Sequence, residues 1–276
     1  MFRRFGLCLV VLGALVVVPG ASAGYPGPFA VQGGQGLLSA DHSMRFVALK
    51  AGTSTLVRAT PLTDAATAMS QTIPGSFGVP TLTPDGPGSG LFRDGSAFVL
   101  QSMGLQPSTH FVVLSTADLS TRDQIDLNGI FGFDALSPDG KTMYLIQHRT
   151  VQDIQHYIVR GYDLGAHRLL PGRIADKTQA SWVMQGWAVS RAESSNGRWA
   201  YTLYANPGGT PFVHALDTVK GVAHCVGIPW EPTDSNQSEI FSAHLTLAGT
   251  KLAVRMQGGS VYRFISTKNW KVSKPR

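Results

Sequence analysis

The chain has 276 residues, of which 43% are hydrophobic, and its 23 Lys and Arg against 17 Asp and Glu give a formal net charge of +6. These basic residues are spread out without a run of Lys or Arg, so the sequence predicts no nucleic-acid partner. No stretch keeps a sustained 3.6-residue apolar period, whereas Gly and Pro recur at intervals suited to short strands, which indicates an all-β protein with almost no helix.

The N-terminal segment has the pattern of a secretory signal peptide. Arg3 and Arg4 precede an apolar run over residues 7–18, which ends in Ala21-Ser-Ala23. The run is too short for a comfortable membrane span. We therefore predict a signal peptide over residues 1–23 and a mature domain over residues 24–276. The mature domain is expected to be extracellular or periplasmic, without stable membrane insertion; an uncleaved anchor is the alternative.

Residues 134–147 form the clearest local motif, two apolar runs around Ser137-Pro-Asp-Gly140. Pro fixes φ at the second position of a type I turn, and Gly accepts the positive φ needed to enter the next strand. The run Met143-Tyr-Leu-Ile146 is apolar at consecutive positions, so both faces of its strand are expected to be buried. This hairpin therefore predicts sheets stacked face to face.

The hairpin pattern occurs five times along the chain. The copies lie near residues 37–49, 90–100, 134–147, 186–204 and 243–256, with turns centred on residues 42, 95, 140, 197 and 249. A third strand follows each hairpin, as at residues 53–60 and 110–114, and a more polar fourth strand comes next. Four strands in about fifty residues is typical of a β-propeller blade. The sequence thus predicts a single propeller of five four-stranded blades, with a β-sandwich as the alternative.

The ring is expected to close between the two termini. Residues 29–32 precede the first hairpin, and we expect them to supply or extend the outer strand of the last blade, beside residues 270–272.

The third hairpin, Leu136-Ser-Pro-Asp-Gly-Lys-Thr-Met-Tyr-Leu145, resembles that of the secreted YVTN- and TolB-type propellers, which are relatives of WD40 proteins. Residues 83–86 and 93–95 echo it, while the last two hairpins lack the Pro-Asp pair and have Asn196-Gly197 and Ala248-Gly249. The resemblance implies a propeller scaffold and a frequent role in binding. It carries over no catalytic residue.

The sequence holds little that predicts chemistry. It lacks the nucleophile elbow, the P-loop and the common zinc motifs, so we predict neither a cofactor nor a metal. Glycosidases need two carboxylates flanking one bond, and Asp134, Glu239 and Asp176 are candidates at the channel mouth. The structural reading is that Asp134 caps a strand and Glu239 is solvated. His214 and His224, on successive strands, could face each other as two metal ligands, but no third ligand is evident.

The tryptophans and Cys225 are the remaining residues from which the sequence predicts binding or packing. Trp182 and Trp230 fall in connecting loops, where an aromatic side chain can stack on a sugar, whereas Trp187 and Trp199 are expected to pack between blades. Cys225, the last cysteine after signal cleavage, is predicted to be a small buried thiol, with His224 on the opposite face of its strand.

These observations predict a secreted β-propeller that acts as a binding or scaffolding protein. Its ligand is expected to be a protein or a glycan at the cell surface, held at the loop face of the channel. The alternative is a glycoside hydrolase that uses a carboxylate pair at the channel mouth.

Overall fold

A computed structural model describes residues 29–63, 67–83, 86, 89–176, 184–206, 209–231 and 239–275. The predicted signal peptide and Trp182 lie outside these residues. In the described part of the chain the only helix is the single 3₁₀ turn Glu239–Ser242, so no helix there is long or apolar enough to cross a membrane. The strands are β1 Phe29–Val31, β2 Leu37–Leu38, β3 Met44–Ala51, β4 Ser54–Pro61, β5 Met69–Pro74, β6 Phe77–Thr81, β7 Ala97–Ser102, β8 Ser108–Ser115, β9 Thr121–Asn128, β10 Ile130–Leu136, β11 Thr142–His148, β12 His156–Asp163, β13 Arg168–Leu169, β14 Met184–Gln185, β15 Trp187–Glu193, β16 Trp199–Ala205, β17 Phe212–Asp217, β18 Val222–Gly227, β19 His244–Ala248, β20 Lys251–Arg255, β21 Val261–Ser266 and β22 Val272–Ser273.

The strands form five antiparallel sheets in chain order, which are the blades of a β-propeller. The first blade is β2–β5, the second β6–β9 with β1 added at the edge of β6, the third β10–β14, the fourth β15–β18 and the fifth β19–β22. In the third blade the outer strand is split, because β13 and β14 each pair with β12. The predicted all-β fold and the five four-stranded units are confirmed.

Local turn chemistry sets the five hairpins. Every predicted turn centre has a positive φ: His42 at 59°, Gly95 at 71°, Gly140 at 67°, Gly197 at 70° and Gly249 at 57°. In the third hairpin the Ser137 hydroxyl donates to the Asp139 carboxylate at 2.6 Å and accepts from the backbone N–H of Thr142 at 2.9 Å. Such side-chain bonds stabilise the turn independently of the rest of the fold.

Apolar clusters join each blade to the next, from the first blade to the fifth. One cluster lies between the first and second blades, one between the second and third, two between the third and fourth, and one between the fourth and fifth. Strands of the middle blades are buried at consecutive positions, as in β7, β10 and β17. The double-sided burial predicted from Met143–Ile146 is therefore confirmed, since all four of these residues are buried.

Two expectations about strand placement are wrong. Residues 29–31 form β1, which pairs with the inner edge of β6 in the second blade, in the register Phe29↔Thr81 and Val31↔Val79, and not with the last blade. The inner strand of the second blade is β6, and Leu91 of the predicted hairpin makes only an isolated bridge to Phe98. Both errors concern pairing between distant segments, which local patterns do not specify.

A matched pair of glycines tests the packing at the entry to the first blade. Gly36 and Gly52 have nearly equal φ values of +62° and +64°, but a Cβ on Gly36 would lie 2.2 Å from the carbonyl oxygen of Phe46, whereas one on Gly52 would meet nothing within 4 Å. We expect Gly36→Ala to lower the free energy of unfolding by about 2 kcal/mol more than Gly52→Ala. Denaturant titration measures both; equal losses would contradict the close contact.

Candidate functional site

A cleft of about 320 Å³ opens between the outer strands of the first and second blades. Strand β5 forms one wall, and β8 and β9 form the other. Ile73, Phe77 and Val112 belong to the apolar cluster between these blades and also line the cleft, so they form its apolar floor. The volume lies at the lower end of the range of about 300–1,000 Å³ that is usual for ligand pockets.

Polar side chains surround this floor. Gln71 from β5 and Gln124 from β9 line opposite walls, and His110 and Asp126 lie beside them. His110 is paired with Asp126 in the β8–β9 register, and Gln124 lies two residues before Asp126, so these side chains share one face of the blade. Among the residues that the structure describes, neither glutamine amide has a hydrogen-bond partner, so both are available to a ligand.

His110 also connects a serine to a carboxylate. Its Nδ1 lies 2.5 Å from Asp126 Oδ1, and its Nε2 lies 3.3 Å from the Ser108 hydroxyl. This is the connectivity of a Ser-His-Asp triad. The side chains of His110 and Asp126 are 45% and 77% exposed, however, so water screens the pair and weakens its electrostatic contribution.

Sequence reasoning missed the whole cleft. His110 lies in the predicted third strand of its blade and Asp126 in the more polar strand that follows, but nothing in a single sequence fixes the register that brings them together. Gln71 comes from another blade, about fifty residues away along the chain. The available signal was the alternation of polar residues in β5 and β9, which marks a wet strand face but not a binding site.

Asp134, a predicted catalytic candidate, lies in a buried ion pair. Its Oδ1 accepts from Arg191 Nη1 at 2.5 Å, and its backbone carbonyl accepts from Arg191 Nη2 at 2.9 Å. The side chain of Asp134 is only 2% exposed and that of Arg191 13%. Burial opposes the charge of Arg191, but the carboxylates of Asp134 and Glu193 outweigh it and raise the pKa of the guanidinium. This pair holds the inner strands β10 and β15 of neighbouring blades together.

A row of polar residues continues from Arg191 across the fourth blade. The register places Arg191 beside Thr202, Thr202 beside His214, and His214 beside Cys225. Because directly opposed residues share a face, the row lies on one side of the sheet, between the third and fourth blades. Sulfur of Cys225 lies 3.5 Å from His214 Nδ1.

Asp176, the second catalytic candidate, lies at the outer end of this row. It is buried, and its Oδ2 accepts from the backbone N–H of Cys225 at 3.0 Å. Burial, together with the charge of Asp176, raises the pKa of the Cys225 thiol to about 12. The prediction of a buried thiol is confirmed, and a thiol with such a pKa is a poor nucleophile.

The three candidate carboxylates do not form a pair. Asp134 contacts Arg191 on the inner strand of the fourth blade, Asp176 contacts the outer strand β18, and Glu239 is exposed in the 3₁₀ turn Glu239–Ser242. Arg191 also reaches Thr202 on β16, and two strand spacings, about 10 Å, separate β16 from β18. This arrangement gives no support to the glycoside hydrolase hypothesis.

The remaining sequence candidates have structural neighbours. Trp230 is half-buried and lies against Tyr262, with ring centroids 4.6 Å apart, and it packs on the cluster between the fourth and fifth blades. Trp199 packs on the same cluster and contacts His224. His224 pairs with Ala215 and so faces away from His214; the idea that the two histidines face each other is wrong.

The buried imidazole of His214 makes stability depend on pH. Burial lowers its pKa to about 4, with the carboxylates of Asp134 and Asp176 opposing this and Arg191 adding to it. Because an unfolded histidine titrates near 6.5, the unfolded state binds more protons at intermediate pH. Stability is thus present above about pH 6.5 and is lost as the pH falls to about 4, by about 3 kcal/mol.

We expect His214→Gln to remove most of this pH dependence, and His244→Gln, at an exposed site, to leave it unchanged. Denaturant unfolding at pH 7 and pH 4 measures both variants against the parent chain. Burial also lowers the pKa of His148, so a residual slope of the same sign is expected. An undiminished slope in His214→Gln would contradict the assignment.

No family model and no curated protein matches the chain by sequence. Solved structures do match it in fold. Hydrazine synthase of Kuenenia stuttgartiensis has a TM-score of 0.52 at 15% identity, covering 84% of this chain and 63% of that chain. The β-propeller domain of Cps50 (Swd1) from Myceliophteria thermophila has a TM-score of 0.50 at 9% identity, covering 86% and 68%. TolB from Acinetobacter baumannii matches at a TM-score of 0.43 and 16% identity, covering 84% and 51%. The chain thus spans less than two thirds of the hydrazine synthase chain, and the likeness to WD40-type propellers is one of fold.

Proposed function

We propose that the protein is an exported, non-catalytic binding module whose cleft between the first and second blades takes a mono- or disaccharide unit of a glycan. The observation that carries this proposal is the pair of unpartnered amides, Gln71 and Gln124, on opposite walls of a cleft with an apolar floor. The signal-peptide pattern of residues 1–23 supports export.

The chemistry of the cleft matches the two sides of a sugar ring. The ring's hydroxyl groups donate and accept hydrogen bonds in pairs, and a side-chain amide offers a donor and an acceptor side by side. Asp126 adds an acceptor carboxylate beside them. The C–H face of the sugar can rest on Ile73 and Phe77, as in small-molecule sites where a few polar groups orient a ligand over an apolar surface.

Ester hydrolysis by Ser108 is a second candidate function. The contacts of Ser108 and Asp126 with the two nitrogens of His110 favour it. The exposure of His110 and Asp126 argues against it, because effective triads have a buried acid and preorganised oxyanion donors. Labelling with a fluorophosphonate probe, which reacts with activated serines, distinguishes the two functions. We expect no labelling of Ser108. Labelling of the parent chain that is lost in Ser108→Ala would favour the hydrolase.

Saturation-transfer NMR against a panel of mono- and disaccharides identifies the sugar, and titration calorimetry then measures its affinity. We expect Gln71→Ala and Gln124→Ala each to raise Kd about three- to tenfold, because each removes one or two hydrogen bonds of about 1 kcal/mol. Gln257→Ala, an exposed glutamine of the fifth blade, is the matched control and should leave Kd unchanged.

Three results would count against the proposal. Binding that is unchanged by both glutamine substitutions but is lost in Trp230→Ala would move the site to the contact between the fourth and fifth blades. Sugar shortening detected by mass spectrometry would restore the hydrolase hypothesis of Asp134 and Glu239. Absence of binding to any sugar of the panel would leave the cleft without its proposed ligand.

A further inference from the structure

The first and last blades each have one face that no other blade covers. In β3 and β4, residues that face the second blade are buried, and the alternating residues are exposed or half-buried. Strand β19 alternates in the same way. In the interior blades, in contrast, strands such as β7, β10 and β17 are buried at consecutive positions. Among the residues that the structure describes, no hydrogen bond, ion pair or shared apolar cluster joins the first blade to the fifth.

The uncovered face of the first blade is basic and partly apolar. Arg45 and Arg58 are exposed on it, and Val47, Leu49 and Leu56 are half-buried beside them. The register confirms that they share a face, because Val47 lies opposite Arg58 and Leu49 opposite Leu56. On the opposite face of the same strands, which the second blade covers, Phe46, Ala48 and Val57 are buried. The uncovered face therefore has both charge and apolar area available to a partner.

The uncovered face of the fifth blade has the same character. Lys251 lies over the ring of Phe264, with Nζ 5.7 Å from the centroid, and Arg255 bonds the Thr246 hydroxyl and the carbonyl of Gly259. Thr246, Ala253 and Phe264 are opposed in register, which places these side chains on the side away from Leu252 and Val254, the residues that pack on the fourth blade.

Charge is concentrated at this end of the chain. Residues 244–276 contain seven Lys and Arg and no Asp or Glu, while the rest of the chain has 16 Lys and Arg against 17 Asp and Glu. The basic residues are spread out along the sequence without a run, but the excess of Lys and Arg over Asp and Glu lies in residues 244–276. Counting charges blade by blade would have found the asymmetry, but the blades had to be delimited first.

We propose that the uncovered faces of the first and fifth blades form a docking site for an acidic protein segment that also carries apolar side chains. Carboxylates of the partner pair with Arg45 and Arg58 on one side and with Lys251 and Arg255 on the other. Its apolar side chains cover Leu49, Leu56 and Phe264. Direct contact of the two faces, within one chain or between two copies, is opposed because both are basic. A polysaccharide would satisfy the cations but leave the aliphatic side chains exposed.

Binding of a random Glu/Tyr copolymer, poly-L-glutamate and alginate of similar length, measured by fluorescence anisotropy, tests the proposal. We expect the Glu/Tyr copolymer to bind tightest and its affinity to fall with added salt. The double variants Arg45→Glu/Arg58→Glu and Lys251→Glu/Arg255→Glu should each weaken copolymer binding about tenfold or more. Lys141→Glu/Lys220→Glu changes the net charge equally at exposed positions of other blades, and should weaken it less than about threefold.

A further variant separates the apolar contribution from the charge. Leu49→Ser/Leu56→Ser should weaken the Glu/Tyr copolymer and leave poly-L-glutamate unaffected, with thermal melting confirming that each variant folds. If the Lys141→Glu/Lys220→Glu control lost as much affinity for the copolymer as the other charge reversals, net charge alone would explain the losses and the proposal would be overturned. If alginate bound more tightly than the copolymer, the proposal of a protein partner would be overturned in favour of an acidic glycan. Concentration-dependent dimerisation that the charge reversals abolish would show a second copy in the site.

Discussion

Burial of sheet faces is the constraint on which this structure depends. A four-stranded antiparallel sheet with two apolar faces is stable in water only if other sheets cover both of them. The three interior blades satisfy this requirement through apolar clusters with their neighbours on either side. The first and fifth blades satisfy it on one face only, and β3, β4 and β19 accordingly alternate between buried and more exposed residues. What distinguishes the middle of the array from its ends is therefore the number of covered faces, and not the number of strands.

The contact between the third and fourth blades departs from this apolar rule. Two separate apolar clusters flank a polar row that begins at the Asp134–Arg191 pair and ends at Asp176. Burying ions costs free energy, which the pair recovers only with good geometry and further hydrogen bonds. Arg191 makes such bonds to the Asp134 carbonyl and to Thr202. A polar seam of this kind fixes the alignment of two blades more strictly than interchangeable aliphatic contacts do.

Much of the fold could be predicted from the sequence because its hairpins are local. The turn at Gly140 follows from three adjacent residues, and so do the equivalent turns in the other blades. Pairing across the chain could not be predicted: β1 lies in the second blade because β6 has a free inner edge, which no local pattern reveals. The cleft could not be predicted for the same reason, since Gln71 and Gln124 come to line one cleft only through the packing of two blades. For Asp134 the sequence suggests either a catalytic carboxylate or a strand cap, but it does not reveal the neighbour Arg191, whose ion pair gives the carboxylate a structural role.

The position of β1 has a consequence for how such an array changes in size. Val31 and Val79 are partners in adjacent antiparallel strands, so the chain leaves the second sheet after β1 and returns to it at β6. Everything between them, residues 32–76, is an excursion that builds the first blade. Topologically this blade is an insertion in a hairpin of its neighbour. Replacing it by a short turn would leave every strand of the other four sheets with its own hydrogen-bonding partners, but it would expose the face of the second blade that the first blade covers. A whole blade can therefore be lost through one contiguous change in the gene only if that newly exposed face also becomes polar.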